Sequence, residues 1–388
     1  MGRKKHIAIV GAGAFGAWTA YYLAKNKHQV TLIDALPPGD NLASSGGQSR
    51  IIRSVYGKDE LYVKLVKEAF EKWRSFELEW KVKCYYESGV LWMFSGENEQ
   101  YVRASIPNLQ KYGFQLEQWT PSQLEKQYPV LHTKDLSSVY FEPKAGFIKS
   151  GEACRHLHKA FQELGGTAIK ATAKPGRQNK GHLDHLLLSN GQQLYADEYV
   201  FACGPWLPGL FPEVLGDAIQ ISKMDVFFFK LHQKQQDYSY PHLPIWLEFG
   251  DAFYYGIPSD NTLEFKVGDD IRSEVFDPGR DERQTSSWRY EAIESFIKKR
   301  FPHLQQLSLA NSRVCLYSNT SDGHFIIDKH PEARNVWLAG GGTGHAFKLG
   351  PVLGKYLYNR ITEEGPEESL FSLKNQRFST ANSQVNFV

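Results

Sequence analysis

The strongest constraint on this chain comes from its first residues, HIAIVGAGAFG over positions 6–16, followed by an aspartate at position 34. The apolar run at 7–10 predicts a short buried parallel strand. Gly11, Gly13 and Gly16 follow in G-x-G-x-x-G spacing, residues 17–25 supply a helix, and residues 30–33 a second strand ending at Asp34. Each part has a physical task. The first glycine makes the tight turn, the second lets backbone approach a pyrophosphate, and the third lets helix pack on strand. The helix N-terminus faces the phosphates, and Asp34, 18 residues past Gly16, takes a ribose hydroxyl pair. The glycine spacing alone is weak, but here strand, helix and acidic residue fall in register. A dinucleotide site is predicted, open to NAD or FAD.

A length of 388 residues suggests roughly two domains, each able to bury a core. A net charge of +2, with no long basic run, argues against nucleic acid as a partner. No stretch approaches 18 uninterrupted apolar residues, and the start does not read as a signal peptide, so a cytoplasmic protein without a membrane partner is expected. Cys84, Cys154, Cys203 and Cys315 are too scattered for a disulfide framework or a zinc pattern. The 13 histidines form no ligand constellation with them, so no metal is expected.

Beyond Asp34, residues 35–49 are rich in Gly, Pro and Ser and predict a loop of functional length. Arg50 and Arg53 follow, three apart and on one face if that segment is helical. Residues 61–80 carry helical periodicity, and 84–94 alternate as a strand entering a second domain. Thr120 caps a short helix with Pro121 at its first position. Residues 146–148 read as a connection, 152–164 as a helix and 167–195 as a small meander. The buried strand at 198–202 resembles another strand of the first domain, supplied from mid-chain. Strands dominate 220–230 and 246–267, helix 281–300, and strands again 314–316, 325–328 and 336–339. A second glycine-rich turn at 340–345 opens a last helix. The expected fold is α/β plus antiparallel sheet: a discontinuous FAD-binding Rossmann-like domain (1–82, 146–218, 320–375) interleaved with a mixed or antiparallel β-sheet substrate domain (83–145, 219–319), then a polar tail at 376–388.

The second turn, with Gly342 and Gly344, aims backbone N–H groups and a positive helix end at a second anionic or electron-rich place. In a flavoprotein that place is the pyrimidine edge of the ring, where negative charge builds on reduction, which favours FAD over NAD.

Five stretches then carry a family resemblance: VGAGAFGAW (10–18), QSRIIRSVYG (48–57), FYYGIPSDNTLEFKVG (253–268), VCLYSNTSDGHFIIDKHP (314–331) and AGGGTGHAFKLGP (339–351). The chain resembles the monomeric sarcosine oxidase group of D-amino-acid-oxidase-like flavoproteins, which includes N-methyltryptophan oxidase and relatives acting on pipecolate and fructosyl amino acids. The resemblance implies a covalent bond from Cys315 to the 8-methyl edge of FAD, and Lys266 beside the flavin promoting its reaction with O₂. It implies Arg53 and Lys348 on the substrate carboxylate, Arg50 close to the flavin, and Tyr255 as a pocket wall and hydrogen-bond donor. Planar guanidinium suits a carboxylate because its fork makes two parallel hydrogen bonds. The other three cysteines read as small buried hydrophobes. One departure stands out: sarcosine-type members carry a histidine four residues beyond the lysine, where this chain has Asp270. Either Asp270 recognises a second cationic group on the substrate, or it turns to solvent beside Asp269, and the second reading is favoured.

The implied activity is an FAD-dependent amine oxidase. It would oxidise the C–N bond of a secondary or primary amino acid to an imine and reduce O₂ to H₂O₂, acting as a monomer. The alternatives are a flavin-dependent amino acid dehydrogenase with another electron acceptor, a catalytically silent flavin-binding protein, or a nicotinamide dehydrogenase.

Overall fold

A computed structural model describes residues 4–96, 99–216, 218–232, 235–260, 262–272, 274–304 and 307–375. The predicted polar tail at 376–388 lies outside the described residues.

The opening stretch folds as strand β1 (His6–Val10), helix α1 (Ala14–Lys25) and strand β2 (Gln29–Asp34). β1 lies inside a six-stranded sheet, parallel to β2 on one side and to Glu198–Phe201 on the other. Beyond Glu198–Phe201 comes Ala333–Gly340, also parallel, with Ile326–His330 antiparallel at that edge and Thr167–Lys170 parallel at the far edge. The apolar runs at 7–10 and 199–201 are buried on both faces, as central parallel strands require.

α1 is clasped by the terminal helix Ala346–Ile361. A Cβ at Gly354 would stand 2.4 Å from the Trp18 Cβ, and one at Gly350 would stand 2.7 Å from the Trp18 ring. The two helices therefore approach as only glycine allows. On its other edges Trp18 meets Trp73 and Phe76 of the helix Glu60–Trp80, ring centroids 5.2 and 5.1 Å away.

The second large sheet has eight strands, ordered Ser308–Asn319, Gln220–Lys230, Glu264–Asp269, Phe253–Ile257, Ile245–Phe249, Val90–Phe94, Ser138–Glu142 and Glu117–Trp119. Its pairs are antiparallel except Val90–Phe94 with Ile245–Phe249, which makes it mixed. Alternation along its strands sorts the side chains. Phe265 and Val267 bury in a cluster with Trp246, Phe296 and Ile297 beneath the helix Ser287–Arg300, so Lys266 points the other way. Likewise Val314 and Leu316 join another core cluster, leaving Arg313, Cys315 and Tyr317 on the opposite face.

Several local expectations need correction. Arg50–Ile52 is a strand in a three-stranded antiparallel sheet with Gly146–Ile148 and Tyr85–Tyr86. Arg50 and Arg53 therefore do not share a helical face, and 146–148 is more than a connection. The helix Gln100–Tyr112 was not anticipated, because Pro107 interrupts its pattern. Thr120 caps Pro121–Gln127 as expected, in a full capping box.

Candidate functional site

Two adjoining cavities lie between the sheets, of about 1290 and 200 Å³. The first exceeds the roughly 300–1,000 Å³ of common small-ligand pockets, and the second is below it. Ser44, Arg50, Leu316, Tyr317, Gly344 and Phe347 line both.

The larger cavity is built on the opening motif. Gly11 has φ +101°, and a Cβ there would lie 2.3 Å from the Ala202 carbonyl oxygen, so the turn admits glycine alone. A Cβ at Gly16 would come 1.9 Å from the Gly11 carbonyl oxygen, which fixes how closely α1 sits on β1. Gly13 faces the cavity, and its neighbour Ala14 donates its N–H to Ser45 Oγ at 2.9 Å. Asp34 lines the same cavity, its carboxylate accepting from Ala12 N at 2.6 Å and Leu36 N at 2.9 Å. At the far wall Gly342 and Gly344 open the terminal helix, and Gly344 (φ +75°) lies against the Tyr317 ring. These residues fit FAD: a cradle that side chains would fill, a fixed carboxylate at the strand end, and a second glycine turn opposite.

Where the cavities meet, the loop before residue 50 turns its carbonyls on two cations. Arg50 donates to the carbonyls of Ser44, Gly46 and Ser49 at 2.6–2.7 Å. Lys266 Nζ donates to the same Ser49 carbonyl at 3.0 Å. Burial draws Lys266 well below its ordinary range; Arg50 and Arg313 add to this, and Cys315 opposes it. Arg313 Nη2 stands 2.9 Å from Cys315 Sγ. Burial pushes that thiol up, but Arg313, Arg50 and Lys266 together outweigh burial and bring it below its usual value. The other three cysteines are pushed up by burial, as inert core thiols are.

Arg53 and Lys348 come together around one ring in the smaller cavity. The Arg53 guanidinium lies 4.8 Å from the Tyr56 centroid and 5.2 Å from that of Trp92, and it bonds the Val55 carbonyl. Lys348 Nζ lies 5.3 Å from the Tyr56 centroid. Burial, then Arg53, pull Lys348 well below its ordinary range. Tyr255 lines the same cavity, and burial keeps its phenol protonated.

Asp270 does not turn to solvent. Its carboxylate accepts from Arg272 Nε at 3.0 Å and Nη2 at 2.8 Å and lines the smaller cavity. Its neighbour Asp269 is buried against Arg289, and burial pushes it up to about 6.

Sequence reasoning missed Arg313, Arg272, Ser45, Glu142 and His345. Arg313 was within reach, since it stands two residues before Cys315 in a strand and so shares its face. Glu142 is buried, takes hydrogen bonds from Ser54 N and Oγ at 2.5 and 2.6 Å, and opposes Arg53. His345 Nδ1 meets Tyr56 Oη at 3.3 Å, and burial holds the ring neutral. Among the described residues, no group of three or more potential ligands is arranged to hold a metal, and no helix is long and apolar enough to cross a membrane.

Comparison with known proteins bears on this geometry. The model of the FAD dependent oxidoreductase family matches residues 6–360. Monomeric sarcosine oxidase of Bacillus sp. (strain NS-129) is 27% identical over 95% of this chain and 96% of its own length. N-methyl-L-tryptophan oxidase of Yersinia pestis (strain Pestoides F) is 26% identical over 90% and 92%. Among solved structures, L-proline dehydrogenase from P. horikoshii superposes with a TM-score of 0.83 at 18% identity, over 96% of this chain and 98% of that one.

Proposed function

The chain belongs to the family of FAD-dependent oxidoreductases, and on that premise we propose that it is an amine oxidase acting on an amino acid. It takes a hydride equivalent from the carbon beside a secondary or primary amine, leaves an imine that water hydrolyses, and passes the electrons to O₂ as H₂O₂. The observation that carries this reading is the pair Arg53 and Lys348 around Tyr56, in a small cavity that shares a wall with the dinucleotide cavity. A carboxylate is the ligand that two buried cations so placed would satisfy. The names of the relatives, sarcosine and N-methyl-L-tryptophan oxidases, support the same class.

FAD, when bound, supplies the two-electron acceptor. Gly11, Gly13 and Gly16 with the start of α1 would take the pyrophosphate, Asp34 the ribose hydroxyls, and Arg50, Gly342 and Gly344 the ring edge. Tyr255 and the aromatic wall exclude water from the reacting carbon. The cations lining the cavity disfavour a protonated amine, so the substrate reacts as the neutral base. Lys266 provides positive charge, and a proton, where O₂ takes up electrons. We assign Cys315 the covalent link. Its thiol, brought below its usual value by Arg313, Arg50 and Lys266, would hold the flavin covalently as a thioether. Cys315→Ala should then give protein whose flavin is released by acid, while wild-type flavin stays with the precipitate; wild-type flavin released by acid defeats the assignment.

We read the cofactor domain as 1–82, 146–218 and 320–375 and the substrate domain as 83–145 and 219–319. We take the protein to act as a cytoplasmic monomer, supported by four cysteines in no disulfide and by the relative named monomeric. The deciding experiment screens N-methyl, cyclic and glycated amino acids for anaerobic bleaching of the flavin and for peroxide in air. Bleaching without O₂ uptake would make it a dehydrogenase, and no bleaching by any of them would end the amino-acid reading.

A further inference from the structure

We propose that Glu142, buried behind the wall of the smaller cavity, is the positioning residue of the proposed carboxylate clamp. It fixes Arg53 through Ser54 and Trp92 and gives Arg53 and Lys348 a shared counter-charge. This inference rests on the amino-acid oxidase reading and deepens it, because Glu142 acts only through the two cations.

Glu142 ends the strand Ser138–Glu142, on the same face as Tyr140 and its cross-strand partner Trp92. It is 1% exposed. Its Oε1 accepts from the N–H of Ser54 at 2.5 Å and from the Ser54 hydroxyl at 2.6 Å, and Oε2 accepts from the Trp92 indole N–H at 3.4 Å. Ser54 follows Arg53 directly in the chain, and the Arg53 guanidinium lies 5.2 Å from the Trp92 centroid. One carboxylate thus holds both the backbone next to Arg53 and the ring against its guanidinium. An ionised carboxylate only accepts, and each oxygen here receives an N–H, so the donor set suits the anion. Burial pushes Glu142 up; the two Ser54 donors, then Arg53 and Trp92, pull against it.

Folding alone gives no reason for a charge at this depth, since an apolar side chain of similar volume serves a core as well or better. The neighbours supply the reason. Glu142 faces the phenols of Tyr56, Tyr85 and Tyr101, and burial pushes all three up, so they stay neutral. Burial likewise holds His345, beside Lys348, neutral. Arg272, which also faces Arg53, is paired with Asp270, and Asp59 is exposed to water at the rim. The charges left to act on the clamp are its own two cations and Glu142. Burial and Arg53 both work to strip Lys348 of its proton, and Glu142 opposes them. Two cations and one anion sum to a single positive charge, which one substrate carboxylate neutralises.

The test follows propionate binding to the holoenzyme by flavin absorbance across pH. In wild type, affinity should fall as Lys348 loses its proton. Glu142→Gln should move the onset of that fall down by about one pH unit, the usual scale for removing a nearby opposite charge, and so weaken propionate about tenfold above the wild-type onset. An onset that stays where wild type has it would overturn the proposal. In a Lys348→Arg background the same substitution should shift no onset, because a guanidinium does not titrate. A shift there would also overturn it, since Glu142 would then act on another group. Should Glu142→Gln not accumulate as yellow protein, Ser54→Ala decides alone. It removes one bond that holds Arg53 in place, and propionate should bind at least about threefold more weakly, part of the effect of a hydrogen bond to a charged group. Wild-type affinity in Ser54→Ala overturns the proposal. No response of the flavin to propionate, with no bleaching by any amino acid, would defeat the amino-acid reading and this proposal with it.

Discussion

The two cavities are made in different ways. The larger is shaped by backbone: the turn at Gly11, the start of α1 and Asp34 all lie within the first 34 residues, and each element follows the last along the chain. The smaller is shaped by side chains from distant segments, with Arg53 after one strand, Lys266 in another, Cys315 in a third and Lys348 on the last helix. A backbone site tolerates almost no change at its tight positions but is indifferent to most side chains. A side-chain site degrades piece by piece, each loss with its own signature. Substitutions should separate the two behaviours.

The largest effect belongs to the backbone site. Gly16→Val would force side-chain atoms onto the Gly11 carbonyl, where even a Cβ would stand 1.9 Å away. The expected product is insoluble or colourless protein, read from the ratio of flavin to protein absorbance. A yellow, soluble variant would show that the turn is not as rigid as its contacts imply.

Next comes the proposed carboxylate clamp. Arg53→Met should cost about 2–5 kcal/mol of binding for an amino acid, the usual loss when one side of a buried charged pair is truncated. It should appear in KM, because the carboxylate is held alike before and during reaction. Turnover of the matching amine without its carboxyl group should barely change; equal loss on both compounds would move Arg53 from substrate binding to the fold.

Lys266→Met should slow reoxidation by O₂ by about 10²–10³-fold, comparable to removing one preorganised electrostatic donor, while reduction by substrate changes little. Stopped-flow traces showing equal losses in both half-reactions would make the lysine part of the scaffold rather than of O₂ chemistry.

The smallest effect is a pH dependence. Burial and Arg53 draw Lys348 well below 10.5, so its ammonium is lost as pH climbs through that depressed value. Carboxylate affinity should fall with it, KM rising by up to about tenfold per pH unit above the shifted value. Lys348→Arg should flatten the rise over the same window, since a guanidinium stays protonated. A wild-type KM flat up to pH 10 would mean that Lys348 does not face the carboxylate.

How much of this could be read in the sequence follows the same division. The opening motif was legible because turn, helix start and acidic strand end have fixed local spacing. The interleaving of the sheets was legible too, since the 198–201 strand reads as buried on both faces and the turn at 340–345 repeats the logic of the first. Arg53, Lys266, Cys315 and Lys348 came from family likeness rather than from periodicity; nothing in local pattern marks a strand lysine as buried. Asp270 was misjudged because it lies one residue past its strand's end, where alternation no longer binds the chain. Beyond Asp269 the chain bends under Arg289, and its course depends on a helix 18 residues further on. Arg272 was missed because it lies past the same strand end as Asp270, and Glu142 because its partners Ser54 and Arg53 are distant in sequence, so that no spacing marks them.

The clasp of Trp18 against Gly350 and Gly354 has a consequence for how the protein is made. A ribosome releases the opening motif first, but the strand at 198–201 that pairs with β1, the strand at 333–340 beyond it, and the helix that covers the motif emerge much later. The cofactor cradle therefore cannot close while the chain is still being synthesised, and for most of that time its apolar strand and tryptophan wait uncovered. Flavin loading belongs to the finished polypeptide. Chains stopped a few turns early should accumulate a form whose first residues, not its last, are open to proteases.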